Sequence, residues 1–300
     1  MAPVRAPSTS ADMSICGMMS LSPMAAPPGA QGGQIFIEQF VDGGHAQFKL
    51  FGNSLLDISA YEATGLVTGS IEGEGTVFLG AKTLSVGRNH LDTVFSGIIR
   101  DGRGQRGPGS LHKIGHGTLT LTGANLYTGP TVVNGGKLLI NNASGSGVGT
   151  GILQVNTGTL GGNGTIAGIV TVGTGSGFEA VLAPGANGAN LGTLTVQSQI
   201  IFNSDATYRF GLNSNAGTSD HVAAVGITIN NGAQFLPHDL GNATLEVGTV
   251  LTAIDNTAAT PIVGTFANLP DGGIVTVNGN NLQASYSGGD GNDLTLTVVP

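Results

Sequence analysis

The most concentrated group of ionisable side chains lies in RDGRGQRGPGSLHKIGH, residues 100–116. The segment contains four positive charges, on Arg100, Arg103, Arg106 and Lys113. Such charges could pair with the carboxylates of an acidic glycan. Glycine and proline interrupt the segment throughout. This composition favours the alternative interpretation, a solvated loop inserted between structural repeats.

The tripeptide Gly115-His116-Gly117 matches one found in polygalacturonases. Those enzymes also need an Asn-Thr-Asp, an Asp-Asp pair and an Arg-x-Lys, and the sequence contains none of the three. Glycoside cleavage requires two carboxylates flanking the scissile bond, whereas the chain has only 18 acidic residues, none of them adjacent to another. We therefore predict no catalytic residues and interpret His116 as a turn residue.

Two other patterns suggest metal sites, and both are weak. His112 and His116 are four residues apart, but such a pair shares a face only on a helix, which the neighbouring glycines disfavour. The segment GGDGNDLTL, residues 288–296, overlaps a calcium-binding nonapeptide that requires tandem copies, and only one copy is present. We interpret Asp290 and Asp293 as part of a tight glycine turn and predict no metal and no cofactor.

The composition excludes several classes of protein. Charged residues make up 9% of the chain, against about 25% in typical soluble domains. The net charge is −8 and the ten basic residues are scattered, so we expect no nucleic-acid partner. No apolar run reaches the 18 residues of a transmembrane helix. Cys16 is the only cysteine, which rules out an intrachain disulfide.

Short phrases that begin with glycine and then alternate apolar and polar residues recur along the chain, as in GTLTL (117–121), GILQV (151–155) and GTLTV (192–196). The two-residue period places Leu119 and Leu121 on one face of a strand and the threonines on the other. The same alternation predicts that five pairs point inward: Leu119/Leu121, Leu138/Ile140, Leu153/Val155, Val170/Val172 and Leu194/Val196.

A single short strand cannot bury its apolar face alone, so repeated strands favour a solenoid in which successive coils stack. Coils of about 20 residues stacked at about 4.8 Å predict about a dozen coils and a rod of roughly 60 Å. An antiparallel sandwich or barrel is the alternative, and the scarcity of hairpin signals argues against it.

The segment KIGHGTLTLTGANLYTGPTVVNGGKLLINN, residues 113–142, resembles the autotransporter-associated β-strand repeat. The positions that match the repeat are Lys113, Gly115, Gly117, Thr118, Leu119, Gly123, Asn125, Tyr127, Gly129, Thr131, Gly136 and Leu138. The match extends from 111, with preceding strands in 70–102 and a closing region in 263–300. The resemblance implies a right-handed parallel β-helix that is secreted or displayed at the cell surface, and a repeat that assists export or folding.

The predicted domains are a disordered or signal-like leader at 1–34, which makes the N-terminal segment irregular, and a β-helix domain at 35–300. Autotransporters carry a C-terminal membrane barrel, and we expect none within these 300 residues. A detached passenger, a relative secreted by another route and a truncated product all remain open.

These observations predict a non-enzymatic, extracytoplasmic β-helix that is secreted or displayed at the cell surface or outer membrane, in adhesion or in a cell-envelope layer. Its partners would be surface glycans or other envelope proteins. The alternative is a polysaccharide-active β-helix, a lyase or a hydrolase, whose acidic side chains converge only in the folded chain.

Overall fold

The structure, a computed structural model, describes residues 20–21, 32–39, 42–102, 107–177, 180–187 and 190–300. Most of the leader predicted at 1–34, including Cys16, lies outside these ranges, as do Arg103 and Arg106. The described chain is almost entirely β-structure, with one four-residue helix. No helix in these ranges is long and apolar enough to cross a membrane.

The strands are short and follow one another closely along the chain. In order they are β1 Ser20–Leu21, β2 Gln34–Phe36, β3 Gly43–Leu50, β4 Leu55–Asp57, β5 Gly65–Gly73, β6 Thr76–Phe78, β7 Thr83–Val86, β8 Thr93–Phe95, β9 Ile98–Arg100, β10 Ser110–Lys113, β11 Thr118–Leu121, β12 Thr131–Ile140, β13 Leu153–Gly162, β14 Thr165–Ile166, β15 Val170–Val172 and β16 Ala180–Ala183. After the helix α1, Pro184–Asn187, come β17 Thr193–Val196, β18 Ile200–Phe202, β19 Ala206–Asn213, β20 Thr218–Ser219, β21 His221–Ala224, β22 Ile227–Ile229, β23 Gln234–Asp239, β24 Val250–Asn256, β25 Ile274–Val277, β26 Asn280–Gly288 and β27 Asp293–Val299.

These strands stack in parallel on three faces of a solenoid. The first face contains β5, β7, β10, β12, β13, β15, β18 and β22. The second face contains β3, β8, β11, β16, β19 and β23, together with the C-terminal parts of β5, β12 and β13. The third face runs through β2, β4, β6 and β9, and resumes in β14, β17, β21 and β24. The parallel β-helix is confirmed, and the sandwich or barrel alternative is wrong.

The coils vary in length, and they are fewer than the sequence predicted. Leu153 pairs with Val170, 17 residues later, whereas Val222 pairs with Ile254, 32 residues later. Loops inserted at the corners account for the extra length. The solenoid has about eight turns, so its parallel part is roughly 38 Å long at about 4.8 Å per turn, and the prediction of a dozen coils was wrong.

Apolar side chains from successive turns form continuous rows inside the solenoid. On the first face, one row is formed by Leu66, Leu84, Leu111, Thr131, Leu153, Val170, Ile200 and Ile227, none more than 2% exposed, and Thr131 is its one polar member. All five pairs predicted to point inward are buried. Each buried aliphatic side chain contributes about 1.5–3 kcal/mol relative to exposure, so these rows are the main source of stability.

Glycines allow the turns to approach one another closely at the corners. A Cβ at Gly115 would overlap the carbonyl oxygen of Gly87, and one at Gly123 would overlap that of Gly97. A third corner repeats the arrangement through Gly109, Gly129, Gly151 and Gly168. The glycines of the 113–142 repeat are therefore needed for close packing of backbone against backbone.

The C-terminal end is closed by antiparallel strands. β24 pairs with β27, β27 with β26, and β26 with β25. Beside them, five aromatic rings pack within 6.3 Å of a neighbouring ring centroid: Phe202, Tyr208, Phe210, Phe235 and Phe266. The closing region predicted at 263–300 is thus a cap rather than further parallel coils.

Candidate functional site

A groove of about 540 Å³ opens beside the loop that joins β9 to β10. It is lined on the loop side by Arg100, Asp101, Gly102, Gly107 and Pro108, and on the next turn by Leu126 and Thr128. A groove of this size is within the range of small-ligand sites.

Asp101 fixes one wall of this groove. Its Oδ1 accepts hydrogen bonds from the backbone N–H of Gly109, at 2.9 Å, and of Thr128, at 3.1 Å. Its Oδ2 accepts from the Thr128 hydroxyl at 2.7 Å. The carboxylate therefore ties the start of the loop to its end and to the following turn.

Arg100 supplies the positive charge of the groove. Its side chain is exposed, and its guanidinium carbon lies 5.8 Å from the centroid of the Phe78 ring. The residues that the structure describes contain three ion pairs, and none of them involves Arg100. The register of the third face places Phe78 beside Arg100 on the preceding turn and Leu126 beside it on the next.

The segment 100–116 is not one loop. Residues Ser110–Lys113 form β10, and Lys113 lies on an inward-facing row between Val86 and Val133, where it is 1% exposed. The interpretation of the whole segment as a solvated loop is wrong for Arg100, which ends β9, and for Ser110–Lys113, whereas residues 103–106 lie outside the described ranges. Lys113 is too deeply buried to reach a glycan, so that assignment was wrong.

The ammonium of Lys113 lies among backbone carbonyls at the corner between β10 and β11. Its Nζ donates to the carbonyl oxygens of Ile114 at 2.7 Å, and of Gly115 and Gly135 at 3.3 Å. Burial lowers the pKa of Lys113 to about 8, and the negative charge of Asp92 acts in the opposite direction. The side chain joins two successive turns and offers nothing to solvent.

His116 is exposed in the bend that follows, as predicted for a turn residue. Its ring stacks on that of His90, with centroids 5.1 Å apart, and its backbone N–H donates to Nδ1 of His90 at 3.0 Å. His112 lies on the outward side of strand β10, where burial lowers its pKa. His112 thus lies on a strand and His116 in the bend after it, so the two do not share a helical face.

Within the segment 288–296, residues 289–292 form the predicted turn between β26 and β27, and Asp293 is the first residue of β27. Asp293 Oδ1 accepts a hydrogen bond from the backbone N–H of Asn256 at 2.9 Å. Burial raises the pKa of Asp293, and the nearby charges of Asp255 and Asp290 raise it further. Across the described ranges, no group of three His, Cys, Asp or Glu side chains could hold a metal ion. The absence of catalytic, cofactor and metal residues stays a prediction.

Two buried or bonded acids were missed by sequence reasoning. Asp205 accepts hydrogen bonds from the backbone N–H groups of Thr174, Gly175 and Gly177, some thirty residues earlier in the chain. Asp220 is 2% exposed and accepts from Gly192 and Gly211. The backbone groups that bond to these two acids are determined by the register between turns, and no local sequence motif indicates that register.

The stacked strands and the corner glycines define the class of this protein, a parallel β-solenoid. Residues 111–140 match the family model of the passenger-associated-transport-repeat. The chain therefore contains a passenger-type β-repeat and is similar in that region to autotransporter passengers.

Similar proteins share parts of the chain. An adhesin autotransporter, BmaC, of Brucella suis biovar 1 is 40% identical over 115 residues, which is 36% of this chain and 3% of the adhesin. Two extracellular serine proteases of Serratia marcescens are 38% and 33% identical, over 42% and 54% of this chain and 11% and 15% of the proteases. The chain thus spans a small part of each relative. Together with the repeat, they support a secreted or cell-surface location.

Proposed function

We propose that this chain is a non-enzymatic passenger segment that presents the outer surface of its solenoid for adhesion or for contacts within a cell-envelope layer. Its partners would be surface glycans or other envelope proteins, and it would need no metal or cofactor. We also propose that residues 35–300 act as one passenger-like domain after a leader at 1–34.

The observation that supports this proposal is that most acidic side chains accept hydrogen bonds from the backbone. Of the 16 acidic residues that the structure describes, ten accept a hydrogen bond from a backbone N–H: Asp42, Asp57, Glu74, Asp92, Asp101, Asp205, Asp220, Asp239, Asp271 and Asp293. Most of these bonds hold a loop or join two turns. The majority of the described carboxylates thus support the backbone.

The polysaccharide-active alternative requires two carboxylates on opposite sides of a bound sugar, about 5–9.5 Å apart. The groove beside Arg100 is lined by one carboxylate, that of Asp101, and this group already accepts three hydrogen bonds. Both oxygens of Asp101 are thus engaged within the protein, and no second carboxylate lines the groove among the described residues.

Adhesion and catalysis can be separated with the purified full chain. Beads coated with the chain should adhere to epithelial monolayers or glycan-coated plates more than beads carrying Gly123→Val, whose added side chain prevents stacking against Gly97. The chain should release no reducing ends from polysaccharides and no peptides from casein. Product release above the buffer rate that Asp101→Asn abolishes would establish the polysaccharide-active alternative and overturn the proposal.

A further inference from the structure

The groove beside Arg100 has the features of a binding site, and the inference drawn from it rests on the proposed display function. We infer that this groove binds a carboxylate-bearing sugar, a uronic acid unit of an acidic glycan. Arg100 is the anion-binding residue, and Leu126 and Pro108 provide apolar surface for the sugar ring.

The charge of Arg100 is unusual in its surroundings. The chain carries a net charge of −8, and two other cationic side chains, Lys49 and Arg88, are paired with carboxylates at 2.7 and 3.0 Å. Among the described residues, Arg100 has no such partner, and its neighbour Asp101 directs its oxygens to Gly109 and Thr128. The groove therefore contains one guanidinium that forms no ion pair among the described residues, next to the hydrogen-bonded carboxylate of Asp101.

The guanidinium is held in place by its position on the third face. Phe78 and Leu126 flank Arg100 on the preceding and following turns, about 4.8 Å away on each side. Stacking over the Phe78 ring orients the guanidinium without consuming its N–H donors. Those donors form a planar fork that matches a carboxylate in a bidentate arrangement.

The remaining surface suits a sugar ring better than a small free anion. Leu126 is 55% exposed on the turn that follows Arg100, and Pro108 is exposed on the loop side of the groove, which also carries Arg100. Apolar side chains next to a cation match a uronic acid, which combines a C–H face with a carboxylate. The wall that carries Pro108 is fixed because Asp101 joins it to Thr128, so little ordering is required when the sugar binds.

The test compares a charged and an uncharged probe, a hexamer of galacturonic acid and the same hexamer with every carboxylate methyl-esterified. Titration calorimetry with the full chain should detect binding of the acid hexamer, and the ester should bind at least tenfold more weakly. Arg100→Gln should lower the affinity for the acid hexamer at least tenfold, and Arg100→Lys should lower it less, because an ammonium lacks the bidentate fork.

Arg88→Gln is the matched control, since it changes the net charge by the same amount at an arginine that is already paired with Asp42. It should leave the affinity within twofold of the wild type. The inference is overturned if the acid hexamer does not bind, if the ester binds equally well, or if the two arginine variants lose affinity equally. Adhesion of wild-type beads in the same experiments would show that the display function stands even when the groove assignment fails.

Discussion

The side-chain amide of Asn125 donates a hydrogen bond to the carbonyl oxygen of Gly147, one turn further along the solenoid, at 2.6 Å. On the other side, Asn125 Oδ1 accepts from the backbone N–H of Ile99 on the preceding turn, at 2.7 Å. Asn125 is 2% exposed, so both bonds are buried. One side chain thus joins three turns at the point where the third face passes from β9 to β14.

Replacement of Asn125 should destabilise the chain strongly. Asn125→Ala leaves a buried N–H and a buried carbonyl without partners, and each costs about 1–3 kcal/mol. We expect the free energy of unfolding in urea to fall by about 2–5 kcal/mol. Asn134→Ala is the control, because Asn134 is exposed and bonds only to the Asn156 side chain, and it should change stability by less than about 0.5 kcal/mol. Equal effects of the two variants would contradict the role assigned to Asn125.

The corner glycines lead to a second prediction. A Cβ at Gly123 would overlap the Gly97 carbonyl, which belongs to the backbone and cannot move without displacing a turn. Gly123→Ala should therefore lower the free energy of unfolding by at least about 3 kcal/mol, the upper end of the usual range for overpacking, because the clash is with backbone. Gly217→Ala tests backbone conformation alone: its φ is +63° and nothing lies within 4 Å, so it should cost about 1–2 kcal/mol. Denaturant midpoints that fall equally for both variants would exclude close approach as the cause.

The alternation of apolar and polar residues was sufficient to predict which side chains fill the solenoid, because a strand buried on one face has a strict two-residue period. Leu119 and Leu121 are both buried as that period requires. The length of the solenoid was predicted less well, since corner loops vary between turns. For the same reason the contact between Arg100 and Phe78, 22 residues apart, could not be predicted without the register.

Two features could have been predicted from local signals and were not. Val277-Asn278-Gly279-Asn280 contains Asn-Gly, a strong hairpin signal, and it forms the turn between β25 and β26 with φ of +46° and +78°. Lys113 is two residues after the inward-facing Leu111, so the period itself points it inward. The charges and glycines around Lys113 indicated a loop instead. A buried lysine is tolerated there because its ammonium donates hydrogen bonds to backbone carbonyls of two turns.

Lys113 gives a third prediction, measured by unfolding at several pH values. Lys113→Met should lower the free energy of unfolding at pH 7 by about 1–3 kcal/mol, because buried carbonyls lose their donor. The folded-state pKa of about 8 lies below the ordinary 10.5, so the unfolded chain binds more protons between these values. Wild-type stability should therefore rise relative to the variant between pH 8 and 10.5.

Lys137→Met is the control for this experiment, since Lys137 lies at the same corner with a partly exposed side chain. It should change stability by less than about 0.5 kcal/mol and should show no comparable dependence on pH. If the difference in unfolding free energy between wild type and Lys113→Met narrows as the pH rises, the conclusion that the charge of Lys113 opposes folding is contradicted.

The last prediction concerns Asp220, whose pKa burial raises to about 6 although the N–H groups of Gly192 and Gly211 lower it in part. The folded chain binds a proton at Asp220 more tightly than the unfolded chain does, so its contribution to stability is present below pH 3.8 and lost as the pH rises through 6. The loss is up to about 3 kcal/mol.

Asp220→Asn removes this titration and one hydrogen bond, so the stability of the wild type relative to the variant should fall between pH 4 and 6.5 and then stay constant. Asp239→Asn is the control, because Asp239 also accepts two backbone hydrogen bonds but has a lowered pKa, and its difference from wild type should be flat over that range. Urea unfolding at half-unit pH steps would measure both differences, and a flat Asp220→Asn difference would show that this buried carboxyl group stays ionised.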